Sequence, residues 1–193
     1  MSEKPKLVNI TMVRDNLDDV RDYPLPRPYK IRLYRPGDEK AFDEIWLAAD
    51  EFGQARTGLF QAEFGGKLDE VPRRMFFILD GAGKPVGTAT AWFNDKFDYD
   101  GKPYGVVHWV AIVPDQQGKG LAKPLMSTVL KRMKELGHVR ALLVTQTVRL
   151  AAINLYLGFG FKPLVKNADD ARAWREVRDA LGGGVTDETD VGG

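Results

Sequence analysis

The stretch Val110-Ala111-Ile112-Val113-Pro114-Asp115-Gln116-Gln117-Gly118-Lys119-Gly120-Leu121-Ala122 leads from an apolar strand through a glycine-bearing turn into the clearest helical pattern of the chain. That order aims free backbone N–H groups at one place, because the first turn of a helix has donors without intrahelical partners and its dipole favours an anion. Gly118 and Gly120 let the backbone approach a pyrophosphate without Cβ clashes and take up positive φ. Two phosphate motifs fail on spacing. A P-loop needs Ser or Thr after its Lys, and Lys119 is followed by Gly120; a dinucleotide fingerprint needs Gly or Ala at position 123, which is Lys123.

Downstream, the helix over 121–136 shows Leu121, Leu125, Val129 and Met133 in one row and Ala122, Met126 and Leu130 in the next, with Gly137 to end it. Its apolar face belongs on a sheet. A short buried strand over Ala141–Val144, a short helix over Leu150–Leu157 and a last strand over Phe161–Val165 follow. Asn167 then caps a polar helix over Ala168–Leu181.

Upstream, Tyr29–Leu33 alternates as a strand, and Pro36-Gly37-Asp38 opens a helix with Ala41, Phe42, Ile45, Trp46 and Ala49 at helical spacing. Residues 51–71 read as short helix and loop. Met75–Leu79 and Val86–Phe93 form a hairpin about the turn Asp80–Pro85, and a second turn over Asn94–Pro103 leads into a strand over Tyr104–Val113. Three consecutive strands therefore meander antiparallel before the order changes to helix, strand, helix, strand. The expected organisation is an extended lead-in over residues 1–28, read as a strap on the domain surface, a single domain over 29–181, and a disordered tail over 182–193.

Composition narrows the function classes. At 193 residues and 44% hydrophobic content the chain suits one sizeable core. Lys plus Arg number 28 against 27 for Asp plus Glu, so no global positive field exists to hold a phosphate backbone, and no nucleic-acid partner is expected. Cys is absent, which removes disulfides, thiolate nucleophiles and cysteine-ligated zinc. His108 and His138 share no metal-ligand spacing, so no metal is expected. No apolar run approaches the ~20 residues that span a bilayer, and the expectation is a cytoplasmic protein without a membrane partner.

Gln117, Gly120 and Ala122 match the pattern Q/R-x-x-G-x-G/A. Residues 152–161, Ala-Ile-Asn-Leu-Tyr-Leu-Gly-Phe-Gly-Phe, are similar to A-I-x-L-Y-x-x-x-G-F. In this pair of ordered motifs the chain resembles the GNAT superfamily of acyl-CoA-dependent N-acyltransferases, over about Tyr29 to Pro163. The resemblance implies a GNAT-like α/β fold, in the α+β sense: a central mixed, mostly antiparallel sheet with helices on both faces. It implies acetyl-CoA (coenzyme A) as co-substrate and a primary amine of a small molecule or peptide as acceptor, attacked directly in a ternary complex. The alternative is a non-catalytic acyl-CoA-binding sensor or interaction module. The oligomeric state, a homodimer included, does not follow from these residues.

The resemblance also distributes roles. Backbone groups of Val110, Ala111 and Ile112, where the strand is commonly bulged in the family, would meet the pantetheine and the thioester oxygen. Gln117, Gly118, Lys119, Gly120, Leu121 and Ala122 would hold the pyrophosphate, and Asn154 would add a cofactor contact. Arg149 stands where many relatives carry Asn. Tyr156 would protonate the leaving thiolate, since a phenol stays protonated at neutral pH. An alkyl ammonium must lose a proton before attack, and His108 is the candidate base. His138, after the main helix, is expected in solvent. The acceptor site is expected from residues 51–71 and 94–104, with Trp92, Phe97, Tyr99, Tyr104 and Trp109 as its lining.

Overall fold

A computed structural model describes residues 7–53 and 55–182, and the proposed tail from 183 onward lies outside them. Seven strands form one sheet in the order β2-β3-β4-β5-β6-β1-β7. They are β1 (Asn9–Arg14), β2 (Lys30–Leu33), β3 (Met75–Leu79), β4 (Pro85–Asn94), β5 (Tyr104–Ile112), β6 (Ala141–Gln146) and β7 (Lys162–Leu164). The helices are α1 (Glu39–Ala49), α2 (Leu59–Phe64), α3 (Ala122–Glu135), α4 (Leu150–Gly158) and α5 (Ala168–Ala180). β2 to β5 pair antiparallel in sequence order, as the alternation and turn chemistry imply.

Helices cover both faces. On one, Leu125, Met126, Val129, Leu130 and Met133 of α3 are wholly buried against Phe76, Ile78, Ala89, Ala91 and Val107, with Ile153 of α4 and Trp174 of α5 in the same core. On the other, Phe42, Ile45 and Trp46 of α1 and Leu59, Phe60 and Phe64 of α2 close over Met75, Phe77 and Ala111. Burying a side chain of this size is worth roughly 1.5–3 kcal/mol, so these two rows outweigh any surface contact. Asn167 caps α5 by accepting a hydrogen bond from the Asp170 N–H at 2.9 Å.

Residues 9–14 correct the reading of the first 28 residues as a surface strap. β1 lies inside the sheet, antiparallel to β6 on one side (Ile10 opposite Thr145, Met12 opposite Leu143) and to β7 on the other (Met12 opposite Pro163). Ile10 and Met12 are 2% and 0% exposed. The physical signal was the alternation Ile10, Met12 and Arg14 ahead of the proline-rich stretch. Arg14, itself buried, bonds the Phe159 carbonyl and the Asp19 carboxylate, fixing the end of β1 to the turn before β7.

From there the chain does run as a strap, across α3. The Ser127 hydroxyl donates to the Arg21 carbonyl at 2.8 Å, Lys131 pairs with Asp22 at 2.9 Å, and the Tyr29 hydroxyl reaches Gln116 Oε1 at 2.6 Å.

Candidate active site

β5 and β6 are parallel neighbours at two positions only, Gly105 opposite Ala141 and Val106 opposite Leu142. Beyond them β6 keeps β1 as its partner, and the edge of β5 facing β6 is left without a strand. The splay opens a cleft of about 780 Å³. Its walls come from β5, from the loop and first turn of α3, from α4, and from the end of α1 with Glu51 and Phe52.

A bulge sets the β5 wall. Thr88 pairs with Ala111 and Thr90 with His108, so the single Ala89 faces both Trp109 and Val110. Trp109 has φ 52°, the one positive value at a non-glycine among the described residues. The extra residue reverses the alternation of the strand, because side chains point to opposite faces with a period of two. Trp109 and Ala111 consequently join the α1/α2 core, whereas Val110 and Ile112 pack on the α3 side. Trp109 is held in place by edge-to-face contact with Trp46, ring centres 4.7 Å apart.

The loop after β5 is built for backbone donors. Gly118 and Gly120 both have positive φ, 73° and 77°. A Cβ at Gly118 would meet open space and one at Gly120 would lie 3.8 Å from Pro26, so the backbone angle rather than room explains both glycines. The Gln117 side chain donates to the Ile112 carbonyl at 2.9 Å and folds the loop back on its strand. α3 begins at Ala122 with no side-chain cap, leaving its first N–H groups to the cleft. Pro124, in that first turn, removes no helical bond.

Val110, Ala111, Ile112, Gln117, Gly118, Gly120, Leu121, Ala122, Asn154 and Tyr156 all line this cleft. Lys119 is not among its lining residues: its ammonium donates to Gln116 Oε1 at 3.0 Å. The sequence reading missed Tyr23, Lys123 and Phe159, which also line it, while Phe52 belongs to the 51–71 segment expected at the acceptor site. Tyr23 could have been suspected from its place in a proline-rich stretch, but its docking on Phe159, 5.5 Å between ring centres, is a long-range contact with no local signal. Burial pushes the Tyr156 phenol up to about 12, with the Arg149 guanidinium acting in the opposite direction. The hydroxyl therefore carries its proton across the neutral range.

His108 lies outside the lining of the cleft, on the α1/α2 face of β5. Its ring meets Phe64 at 6.2 Å and Trp109 at 5.4 Å, both edge-to-face, and Nε2 stands 3.9 Å from a Glu63 carboxylate oxygen. Desolvation by this apolar surround pushes the imidazole down to about 4, so it is neutral at pH 7. His138 corrects the expectation of a solvent-exposed side chain. It is half-buried beside Gly105, where a missing Cβ makes room for its ring, and burial lowers its pKa.

The aromatic residues assigned to an acceptor site separate into two groups. Trp92 and Trp109 pack into the α1/α2 core, while Phe97 meets Tyr99 at a tilt and Tyr104 edge-to-face at the tip of the β4–β5 hairpin. Among the described residues of the segments 51–71 and 94–104, only Glu51 and Phe52 reach the cleft. Among the described residues no group of three or more His, Cys, Asp or Glu could hold a metal ion, and no helix is long and apolar enough to cross a membrane.

Residues 38–161 match the acetyltransferase (GNAT) family. The mycothiol acetyltransferase of Thermobispora bispora is 27% identical over 147 residues, covering 71% of this chain and 48% of that protein. The enzyme of the same name from Pseudarthrobacter chlorophenolicus is 26% identical over 151 residues, covering 74% and 45%. The chain thus spans about half the length of these curated relatives. The crystal structure of a GCN5-related N-acetyltransferase from Sphaerobacter thermophilus superposes with a TM-score of 0.67 at 19% identity, over 81% of this chain and 48% of that one. A GNAT acetyltransferase from Colwellia psychrerythraea gives 0.61 at 13%, over 83% and 55%. These structures share the fold.

Proposed function

Because the chain belongs to the acetyltransferase (GNAT) family, we propose that it is an N-acetyltransferase that moves an acetyl group from acetyl-CoA to a primary amine of a small molecule or peptide. One observation carries this reading: the strained bulge of β5, the positive-φ glycines opening α3 and the Tyr156 hydroxyl all border a single cleft at the splay between β5 and β6. A sensor would need the loop but not the buried phenol.

The residues fit a thioester of coenzyme A. The turn at 117–120 and the uncapped start of α3 offer backbone N–H groups for a pyrophosphate. The unpaired edge of β5 beyond Val106 offers strand-like partners to the amides of the pantetheine arm. An N–H at the bulge, aimed into the cleft, would stabilise the oxyanion that develops as the carbonyl is attacked. Tyr156 gives its proton to the departing sulfur, and His108, neutral at pH 7, takes the proton of the acceptor ammonium directly or through water.

The test is calorimetric titration with acetyl-CoA followed by an acceptor screen that reads release of free CoA thiol. Binding with turnover of at least one amine is the expected result. Binding without turnover of any amine would favour the non-catalytic sensor, and absence of binding would remove the cleft assignment altogether.

A further inference from the structure

The pairing of His108 with Glu63 reaches beyond the cleft itself. β5 carries the imidazole and α2 carries the carboxylate, and the two meet at 3.9 Å through Nε2. Each side chain is about one-third exposed, at 36% and 34%, so the pair stands at the rim of the α1/α2 core with a route to solvent. The groups packed around His108 leave Glu63 as its charged partner: α2 adds Phe64, β4 sets the uncharged Thr90 opposite it, and its own strand adds Trp109.

An ionised carboxylate only accepts hydrogen bonds, whereas a neutral imidazole has one donating and one accepting nitrogen. A carboxylate set against Nε2 therefore selects the form with its proton on Nε2 and leaves the lone pair on Nδ1. The separation is slightly long for a direct bond, and a small side-chain rotation or one bridging water closes it.

A second observation comes from the same face. The Thr90 hydroxyl and the indole N–H groups of Trp46 and Trp109 are buried without hydrogen-bond partners. A buried polar group without a partner costs about 1–3 kcal/mol, and ordered water is the ordinary remedy. Water at these three positions would supply proton carriers on the same face of the sheet as His108.

We propose that Glu63 is a positioning residue for His108: it holds the Nε2–H tautomer, so that Nδ1 is the atom that accepts the amine's proton, and it compensates the imidazolium that results. This rests on the acyl-transfer reading and on His108 as its base. In the step, an N–H bond of the acceptor ammonium breaks, its electron pair stays on nitrogen for attack on the acetyl carbonyl, and an Nδ1–H bond forms. The proton gained on Nδ1 is then released to solvent through water, which restores the Nε2–H form held by Glu63. The carboxylate matters because burial alone makes His108 a weak base, and an adjacent negative charge favours its protonated form.

Two histidines make the test clean by long-range ¹H–¹⁵N NMR, with His108→Ala assigning the signals. At neutral pH the wild-type protein should show His108 protonated on Nε2. Glu63→Ala should lose that preference. Glu63→Gln keeps an accepting oxygen, so it should retain the tautomer while its His108 titration midpoint falls below the wild-type value and that of His138 stays. In turnover, Glu63→Gln should lower kcat by about tenfold or more with KM for acetyl-CoA unchanged. A wild-type His108 protonated on Nδ1, or an unchanged tautomer in Glu63→Ala, overturns the pairing; an unchanged kcat in both variants overturns its role. The NMR measurements need no turnover, so a chain that acetylates no amine counts against acyl transfer while the tautomer still decides the pairing.

Discussion

The guanidinium of Arg149 stands 3.7 Å from the carboxylate of Asp50, joining the residue that precedes α4 to the residue that ends α1. Arg149 occupies the N-cap position of its helix, where a positive charge opposes the helix dipole. Asp50 relieves that conflict, and Gln146 accepts a bond from Arg149 Nε at 3.0 Å. The Asp50 side chain is only 3% exposed and also accepts the Phe52 N–H at 3.0 Å. Where many relatives are expected to place Asn, this chain thus has a cation that anchors the α1–α2 turn to the opposite wall of the cleft.

Arg149→Ala should therefore loosen that turn and remove a partner from a buried carboxylate. A loss of about 1–3 kcal/mol in unfolding free energy is expected from denaturant titration, with a higher KM for the acceptor. Unchanged stability would mean that Asp50 does not depend on Arg149.

Gly120→Val places a β-branched side chain at φ 77°. The left-handed conformation costs a residue with a Cβ roughly 1–2 kcal/mol, so the loop should rearrange and acetyl-CoA affinity should fall steeply. Circular dichroism should show the fold retained. Equal affinities by calorimetry would sink the pyrophosphate assignment of this turn.

Tyr156→Phe keeps the ring in its buried site and removes only the proton. The expected result is a drop in kcat of ~10²-fold or more with little change in acetyl-CoA affinity. Since the phenol titrates only at about 12, the wild-type rate should show no loss from Tyr156 ionisation through the neutral and mildly alkaline range. A fully active Phe variant would show that water protonates the leaving sulfur.

Met12→Ala separates a sheet strand from a surface strap. Truncating a fully buried Met should destabilise the fold by about 2–5 kcal/mol, visible in the denaturation midpoint, because Met12 is 0% exposed. A strap would tolerate the change.

Stability should decline in two stages as the solution is acidified. His108 has a folded pKa of about 4 against an ordinary 6.5, so the unfolded chain binds more protons between those values. Its contribution is complete above about pH 6.5 and is lost as pH falls toward 4. Glu70, hydrogen-bonded by Arg73 and Arg74, is held down to about 2 from 4.5, and its contribution disappears between about pH 4.5 and 2. Thermal melts across pH should show the upper stage vanish in His108→Phe and the lower one shrink in Glu70→Gln.

Periodicity made most of this legible. The α3 rows, the alternation of β2 and the hairpins through β5 place themselves, because local pattern and tertiary burial agree at each. Gly118 and Gly120 marked the loop, and nine of the ten proposed cofactor residues line the cleft. What escaped depends on distance along the chain. β1 is short and followed by prolines, so nothing local shows that its partners lie beyond residue 140. The resemblance implied a bulge in this strand, but the local pattern does not show that the phase reverses at Trp109, and the Arg149 partner of Asp50 is about a hundred residues away.

The place of β1 between β6 and β7 has a consequence for how the chain comes to be folded. β1 is completed by Thr145, Leu143 and Pro163, which follow it by more than a hundred residues along the chain. Until then Ile10 and Met12 have no sheet to enter, and such remote pairings delay folding because the connecting chain must be ordered first. β2 to β5 can assemble as a local meander, and the wall of the cleft formed by β6 and α4 is secured only when β1 pairs with it. Completing the cleft and closing the sheet are thus a single late event.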